Sequence, residues 1–213
     1  MSDTLDTAWA LNWIRTAQEV ISEHRMELID LDREIGDGDH GENMYRGFTK
    51  TVEKLADGTD SIASALGTLG KTLLATVGGA AGPLYGTAFR EAGKAVEGQE
   101  TIDANGVVAI IQGALDGIVK RGKATTGEKT MVDAWTPALE AAKAAAAAGK
   151  SPAEAFKVAA EAAAAGAEET IPMLATKGRA SYLGERSIGH KDPGATSTSY
   201  ILAVAADTAE AAQ

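Results

Sequence analysis

Residues 5–28 have the sequence LDTAWALNWIRTAQEVISEHRMEL, in which apolar side chains recur every three or four positions. Because an α-helix has about 3.6 residues per turn, this spacing places the apolar side chains on one face. The positions on that face are Leu5, Trp9, Trp13, Ala17, Val20, His24 and Leu28. The pattern predicts one long amphipathic helix that packs against a core, and it favours a helical fold.

The remainder of the chain shows the same helical periodicity and no alternating strand pattern. Serine, threonine, glycine and proline mark the starts and ends of seven further predicted helices. These helices cover residues 44–55, 62–76, a segment from 83 onward, a segment to 120 capped by Thr101, 130–148, 152–176, and a segment from 195 onward. Roughly eight helices with short connections predict an all-α, single-domain bundle over residues 1–213, with mostly antiparallel neighbours.

Glycine is concentrated in four of the predicted connections, which cover residues 36–41, 78–82, 122–127 and 178–194. Alternate connections of an up-and-down bundle lie at the same end of the bundle. We therefore expect these four glycine-rich connections to form one rim, and we expect the functional site to lie there.

The composition narrows the classes of protein to which the chain belongs. The 213 residues include no cysteine, which excludes disulfides and thiolate chemistry and fits a reducing cytoplasm. The net charge of −10 argues against direct nucleic-acid binding. No signal-peptide pattern opens the chain, and no run approaches the roughly 20 apolar residues that span a bilayer. We expect a soluble cytoplasmic protein with no membrane partner.

Residues 31–41, LDREIGDGDHG, place three aspartates among glycines. Carboxylates as close together as Asp32, Asp37 and Asp39 repel one another unless a cation neutralises them. Hard oxygen ligands suit Mg²⁺ or Ca²⁺, and Mg²⁺ in enzyme sites usually carries phosphates. The spacing differs from that of the EF-hand calcium loop, so a magnesium–phosphate site is favoured over a solvated acidic turn. His40, which follows directly, is expected to contact a phosphate or a substrate group.

Two other segments have the composition of anion-binding loops. Residues 77–83, VGGAAGP, lead into a helix start, where exposed N–H groups bind anions. They lack the Walker lysine and follow a helix, so they are not a P-loop, and close helix packing is the alternative explanation. Residues 177–186, KGRASYLGER, contain Arg179 with little steric cover, which suits contact with an anion. Asp192, just before Pro193, either caps a helix or holds a ribose.

These motifs together resemble the L subunit of dihydroxyacetone kinase. The matching segments, residues 31–48, 73–86, 121–131 and 177–196, occur in the family order and are distributed over essentially the whole chain. The resemblance implies an antiparallel barrel of eight helices with a nucleotide at one rim. It also implies two Mg²⁺ ions, held by Asp32, Asp37 and Asp39, that bind the diphosphate of ADP or ATP.

The resemblance further implies which residues contact the nucleotide. They are His40, Gly41, Asn43, Ala80, Ala81, Gly122, Met131, Arg179, Asp192 and Gly194. Gly122 and Met131 are implied to surround the base, and Arg179 is expected to stabilise the transferring phosphoryl group as an arginine finger does. Relatives often have serine at the position of Ala81 and an apolar residue at that of Glu42. We therefore expect the loss of one hydroxyl contact at Ala81, where backbone N–H groups remain, and a lower local affinity for anions unless Glu42 points to solvent.

The resemblance implies a phosphotransferase that works with partners. Dihydroxyacetone is then bound by a separate K-type subunit, and an M-type phosphohistidine carrier rephosphorylates the ADP, which acts as a coenzyme. A second hypothesis is an ATP-dependent kinase subunit for another small ketose, such as erythrulose. A third hypothesis is an ADP-dependent partner of a transcriptional regulator. The sequence leaves open whether the chain forms a homodimer.

Overall fold

The computed structural model describes residues 4–212, most of which lie in helices. The α-helices in this range are α1 (Thr7–Glu23), α2 (Arg25–Ile35), α3 (His40–Lys54), α4 (Ile62–Thr76), α5 (Ala81–Ala95), α6 (Ala104–Gly122), α7 (Val132–Ala147), α8 (Pro152–Glu169) and α9 (Pro193–Ala211). A 3-10 segment, Arg179–Ser187, lies between α8 and α9 and bends at Gly184, whose φ is 56°. The predicted all-α fold is confirmed. None of the helices in residues 4–212 combines the length and the apolar character needed to cross a membrane.

Helices that follow one another along the chain pack side by side. From α3 onward each α-helix contacts the next, and α9 contacts α1, which in turn contacts α3. One main apolar core receives side chains from all of α1 to α9. Extended pairing within residues 4–212 is confined to Leu5 and Ile102, which exchange two backbone hydrogen bonds of 2.8 Å beside this core.

Aromatic side chains of α1 and α8 lie at the centre of the core. The rings of Trp9 and Trp13 stack at 5.2 Å, and the ring of Phe156 lies 5.3 Å from that of Trp9. All three side chains are almost fully buried, and the indole N–H of Trp13 donates to the carbonyl oxygen of Ile201 at 2.9 Å. Truncating a buried ring of this size typically costs about 3 to 5 kcal/mol, so these rings hold α1, α8 and α9 together.

The predicted single helix over residues 5–28 is wrong, because the chain is interrupted at His24. This residue has φ −89° and ψ 10°, and it separates α1 from α2. Its imidazole lies 2.8 Å from the Glu27 carboxylate and stacks on the Tyr200 ring at 4.3 Å. The Tyr200 hydroxyl donates to the same carboxylate at 2.8 Å, so α9 holds the interruption in place. The apolar spacing continues through His24, which is why periodicity does not reveal the break.

The start of α3 is set by a side chain of the preceding helix. α3 begins at His40 rather than at residue 44 as predicted. The backbone N–H groups of Asp39 and His40 donate to Oδ2 of Asp32 at 2.9 and 3.1 Å. This contact takes the place of a local cap, and local spacing alone does not predict it.

The end of α8 also differs from the prediction. The helix stops at Glu169, well before the predicted end at Thr176. Pro172 follows closely, and because proline has no N–H it cannot continue the helical hydrogen bonds. The segment predicted as one long loop over residues 178–193 contains the 3-10 segment.

Capping residues explain the helix starts that the sequence predicts well. The sequence allows Asp60 or Ser61 as the cap of α4, and Ser61 takes that position. Ser151 with Glu154 forms a capping box at the start of α8. The predicted cap of α6 is wrong, because Asp103 rather than Thr101 accepts the first N–H groups of that helix. Aspartate and threonine are both good capping residues, so composition alone does not choose between them.

Small residues allow α7 and α8 to approach closely. Gly166 on α8 packs against the backbone of α7, where a Cβ atom would collide with the carbonyl oxygen of Asp133. Gly166→Ala should therefore lower the free energy of unfolding by about 1 to 3 kcal/mol, although alanine has the better helix propensity. Urea unfolding of the purified protein measures this change.

Gly67 on α4 provides the matched control for that substitution. No atom of the described residues lies within 4 Å of a Cβ built at this position. Gly67→Ala should therefore raise the free energy of unfolding by roughly 0.5 to 1 kcal/mol through helix propensity alone. Stabilisation of similar size by both substitutions would contradict the close contact at Gly166.

Candidate functional site

A cavity of about 400 Å³ opens where the glycine-rich connections meet. Its walls come from the α2–α3 connection, the start of α5, the α6–α7 connection, the 3-10 segment and the start of α9. The lining residues fall within 32–40, 78–84, 118–132, 177–180 and 192–194. The four connections that we expected to share a rim therefore line one cavity.

Three aspartates converge on one side of this cavity. One carboxylate oxygen from each of Asp32, Asp37 and Asp39 lies within 4.8 Å of the others. Gly36 makes this arrangement feasible, because a Cβ there would collide with the Asp32 carboxylate. Negative charges at this separation repel one another, and a divalent cation with oxygen ligands would neutralise them. The donor set therefore fits Mg²⁺.

Arg179 reaches the same group of carboxylates from the 3-10 segment. Its guanidinium forms an ion pair of 2.9 Å with Asp37, and its side chain is 61% exposed. A small apolar cluster of Ile35, Ala175 and Ala180 packs the 3-10 segment against the end of α2. The fold thus brings the predicted arginine and a predicted metal ligand into contact, although they lie far apart in the sequence.

The loop before α5 carries hydrogen-bond donors that lack partners. α5 begins at Ala81, and no described side chain caps its first N–H groups. The amide nitrogen of Asn43 is buried without a partner in residues 4–212. Asn43 lies outside the cavity lining, but both polar atoms of its amide lie 3.7 Å from a Cβ built on Gly78, which is in the lining. Buried donors are normally paired, so this group of unpaired donors suits an anion such as a phosphate. Ala80 and Ala81 both line the cavity.

His40 lines the cavity but is part of an interior network. Its Nε2 lies 2.9 Å from the Ser197 hydroxyl, which lies 2.7 Å from the Tyr85 hydroxyl. Burial lowers the pKa of His40 to about 4, although the negative charge of Asp39 acts in the opposite direction. The imidazole is therefore neutral at pH 7, and a contact from it to a phosphate would be a hydrogen bond without positive charge.

Asp192 caps α9 and also lines the cavity. Its carboxylate accepts the N–H of Ala195 at 2.7 Å. Burial, together with the negative charges of Asp133 and Asp32, raises the pKa of this carboxyl to about 7, while the Ala195 N–H and Lys129 oppose the increase. The capping alternative is confirmed, and contact with a ribose stays a prediction.

Lys129 also lines the cavity, and the sequence motifs did not indicate it as a site residue. Its side chain is 1% exposed, and its ammonium donates to the carbonyl oxygens of Thr170, at 2.6 Å, and of His190. It thereby ties the end of α8 to the residues before α9, on either side of the 3-10 segment. In the sequence, Lys129 lies in a glycine-containing connection just before a helix. This position could have pointed to the site, but it does not indicate that the side chain is buried.

Apolar side chains form a further part of the cavity wall. They are Leu84, Ile118, Ala124, Met131 and Val132. The predicted contact residues Gly122 and Gly194 lie beside them in the lining. A cavity with carboxylates, unpaired N–H donors and an apolar wall suits a ligand that has a charged end and a flat apolar end.

Two residues near the start of α3 take other positions. Gly41 packs against α2, where a Cβ would collide with the carbonyl oxygen of Arg25, and it lies outside the cavity lining. Glu42 is also outside that lining and forms an ion pair of 3.3 Å with Arg25. The Glu42 side chain is 50% exposed and faces a cation on α2, which agrees with the case in which this residue points to solvent and does not lower the affinity for anions.

Comparison with known proteins gives consistent matches. Residues 34–207 match the family model of the DAK2 domain. The chain is 45% identical over 204 residues to the ADP-binding subunit DhaL of PEP-dependent dihydroxyacetone kinase 1 from Listeria innocua, covering 93% of this chain and 95% of the relative. It is 43% identical over 200 residues to the corresponding ADP-binding subunit DhaL from Escherichia coli K12, with the same coverages of 93% and 95%.

A solved structure shows the same fold. The dihydroxyacetone kinase of C. freundii, crystallised in complex with AMP-PNP and Mg²⁺, matches with a TM-score of 0.72 and 26% sequence identity. The match covers 96% of this chain and 34% of that kinase, so the chain corresponds to about one third of the larger protein.

Asp192→Asn should change how the stability of the protein depends on pH. The folded protein raises the pKa of Asp192 from 3.8 to about 7. The stabilisation from the protonated Asp192 carboxyl is therefore fully present below pH 3.8, which is the pKa in the unfolded chain. It is lost as the pH rises through the folded-state pKa of about 7. Asparagine keeps an acceptor for the Ala195 N–H but does not titrate. From about pH 5 to pH 8, the free energy of unfolding of the variant should rise relative to wild type by roughly 2 to 3 kcal/mol.

Asp103→Asn is the control in these urea-unfolding measurements, which are made without added nucleotide. Asp103 caps α6 but is exposed, and the N–H of Gly106 lowers the pKa of its carboxyl. This carboxyl is ionised in both states above about pH 5, so the difference from wild type should stay constant up to pH 8. A difference that is equally constant for Asp192→Asn would contradict the raised pKa.

Proposed function

Because the chain belongs to the DAK2 domain family, we propose that it is the ADP-binding subunit of a dihydroxyacetone kinase that draws its phosphoryl group from phosphoenolpyruvate. The observation that carries the proposal is the meeting of three convergent carboxylates and the uncapped start of α5 in one cavity, with the unpaired Asn43 amide beside the same loop. The two DhaL relatives, which are matched over nearly their whole length, support this activity.

Asp32, Asp37 and Asp39 would hold two magnesium ions. Oδ2 of Asp32 already accepts two backbone N–H groups, so Oδ1 remains for a cation. When bound, the ions neutralise the negative charge of the phosphates and of the group in transfer. The complex of the C. freundii kinase with AMP-PNP and Mg²⁺ supports magnesium as the metal.

The donors before α5 would bind the phosphates of the nucleotide. The N–H groups at the start of α5 and the Asn43 amide can donate to phosphate oxygens without losing existing hydrogen bonds. Ala81 lacks the hydroxyl that relatives often have, so the backbone supplies the donors there. The apolar wall, which includes Ile118 and Met131, would exclude water and hold the base.

Arg179 would act on the transferring phosphoryl group. Its ion pair with Asp37 places the guanidinium next to the proposed metal ligands. A metal ion on Asp37 would compete for that carboxylate and leave the guanidinium free to donate to the phosphoryl oxygens. Its planar set of N–H donors suits the charge spread over those oxygens during transfer.

The proposed reaction requires partner proteins. When bound, ADP would accept a phosphoryl group from an M-type phosphohistidine carrier and pass it to a hydroxyl of dihydroxyacetone on a K-type subunit. The K-type partner would also supply the base that removes the hydroxyl proton. An ADP-dependent contact with a transcriptional regulator, and use of another ketose such as erythrulose, are the alternatives that functional assays must separate.

The purified protein should therefore contain ADP together with Mg²⁺. Denaturation followed by chromatography identifies the nucleotide, and exchange against labelled ATP measures how tightly it is held. Slow exchange supports the phosphoenolpyruvate-dependent reaction, whereas rapid exchange supports an ATP-dependent kinase subunit. A protein that neither contains nucleotide nor binds ADP with added Mg²⁺ would refute the proposal.

Asp37→Asn should weaken Mg²⁺-dependent ADP binding by at least about 100-fold, because the site loses a charged ligand. The helices should remain folded, since the substitution also reduces repulsion among the three carboxylates. Calorimetry and circular dichroism measure the two effects. The control is Asp30→Asn on α2, the helix that precedes Asp37, where the exposed Asp30 carboxylate pairs with Arg33 at 2.5 Å and the substitution should not affect ADP binding. Equal affinity of the two variants would exclude Asp37 as a metal ligand.

Arg179→Lys should slow phosphoryl transfer far more than it weakens ADP binding. Lysine keeps the charge but loses the planar donor set, and a missing arginine finger lowers rates by about 10³-fold or more. Single-turnover transfer to the ketose on its partner subunit measures the rate, and calorimetry measures ADP affinity. Arg186→Lys, on the same exposed segment but outside the cavity lining, should change neither. If the Arg179→Lys variant transfers at the wild-type rate, Arg179 is not catalytic.

A further inference from the structure

The two polar atoms of the Asn43 side chain differ in their hydrogen bonding, because one has a partner and the other has none. The residue is 4% exposed, and its Nδ2 has no hydrogen-bond partner among the described residues. Its Oδ1 accepts a hydrogen bond of 2.5 Å from the guanidinium of Arg46, one turn further along α3. Nδ2 and Oδ1 both lie 3.7 Å from a Cβ built on Gly78, so the whole amide lies beside the loop before α5. Of its two ends there, Arg46 holds the acceptor, and the donor is left for a further partner.

Arg46 also contacts the helix that leads into this loop. Its Nε donates to the carbonyl oxygen of Thr76, the last residue of α4, at 3.0 Å. The guanidinium thus joins the Asn43 side chain on α3 to the C-terminal end of α4. Arg46 itself is exposed and lies outside the cavity lining, so it does not touch a ligand in the cavity directly.

The two ends of an asparagine amide have nearly the same size, so packing alone does not decide which end lies next to Arg46. A guanidinium has only donors and remains charged, so it pairs with Oδ1 and excludes the amide nitrogen from that position. We propose that Arg46 is a positioning residue that orients the Asn43 amide so that its N–H groups face the phosphates. This inference rests on the proposed function, because it assumes that the anion near Gly78 is part of a nucleotide.

The consequence for binding follows from the charges. If the amide turned over, Oδ1 would face the anion, and two acceptors would oppose each other where a donor is needed. A hydrogen bond to a charged group is worth about 1.5 to 3 kcal/mol. Arg46→Met should therefore weaken Mg²⁺-dependent ADP binding by roughly tenfold or more. Arg46→Lys keeps the positive charge, but an ammonium cannot span the Asn43 Oδ1 and the Thr76 carbonyl oxygen as the planar guanidinium does. This variant should recover part of the ADP affinity.

A double-mutant cycle with Asn43→Ala separates positioning from general support of the loop. If Arg46 acts through the amide, Arg46→Met should cause little further loss of ADP affinity in the Asn43→Ala protein. Loss of the bond to Thr76 alone would instead produce the same loss in both backgrounds and would overturn the inference. Arg25→Met is the matched control, because Arg25 is also an arginine that pairs with α3, through Glu42 at 3.3 Å, although it is less exposed than Arg46. It should leave ADP affinity within about twofold of wild type.

A measurement without nucleotide tests the orientation itself. In NMR spectra of the wild-type protein the Asn43 side-chain amide should give one sharp pair of Nδ2 proton signals, because Arg46 holds a single orientation. Arg46→Met should broaden or double these signals, and Arg25→Met should leave them unchanged. If the wild-type protein binds ADP, unchanged affinity or unchanged amide signals in Arg46→Met would overturn the inference and leave the proposed function intact. Failure of the wild-type protein to bind ADP would overturn the proposed function, and the NMR comparison would then decide separately whether Arg46 orients Asn43.

Discussion

The arrangement of the site depends on one carboxylate, that of Asp32, which accepts the N–H groups of Asp39 and His40. This pair of hydrogen bonds begins α3 from the end of α2 and turns the intervening chain back on itself. Asp39 is thereby brought close to Asp32 and Asp37, and His40 is placed at the cavity wall. The same carboxylate thus has a structural role through one oxygen and a proposed ligand role through the other. Substitutions at Asp32 are expected to affect both the fold of the connection and the site, whereas Asp37 is free of the structural role.

The cavity also shows how an acidic chain can accept an anion. Its net charge of −10 would repel phosphate on average, but the lining contains its own cations and unpaired donors. Arg179 is paired with Asp37, and Lys129 is buried on backbone carbonyls near Asp192. The raised pKa of about 7 at the Asp192 carboxyl limits the negative charge inside the cavity, and neutral His40 contributes no charge of either sign. Attraction for a phosphate is therefore local, and it depends on positions in the fold more than on overall charge.

The sequence was sufficient for the fold class and for the place of the site, and it was insufficient for contacts between distant elements. Helix starts at Ser61 and Ser151 follow from local capping chemistry, which a short segment contains completely. The break at His24 is invisible to periodicity, because the apolar face continues through it and the stabilising partner, Tyr200, lies on the last helix. Burial of Lys129 depends likewise on carbonyl groups that lie tens of residues away. Pairings of this kind require the assembled bundle, so neither spacing nor composition can predict them.

The segment that carries Arg179 is closed at its base. The N–H of Gly189 donates to the carbonyl oxygen of Ile171 at 2.8 Å, and Lys129 holds Thr170 and His190 on the same side. The segment has its own small apolar cluster and contributes little to the main core. Because its two ends are already joined, a change in its length alters loop-closure entropy by only about 0.6 kcal/mol per doubling. Insertions and deletions between residues 181 and 188, beyond the cavity-lining residues 177–180, should therefore be tolerated by the helical bundle, so the outer part of this segment can change in length without loss of the core.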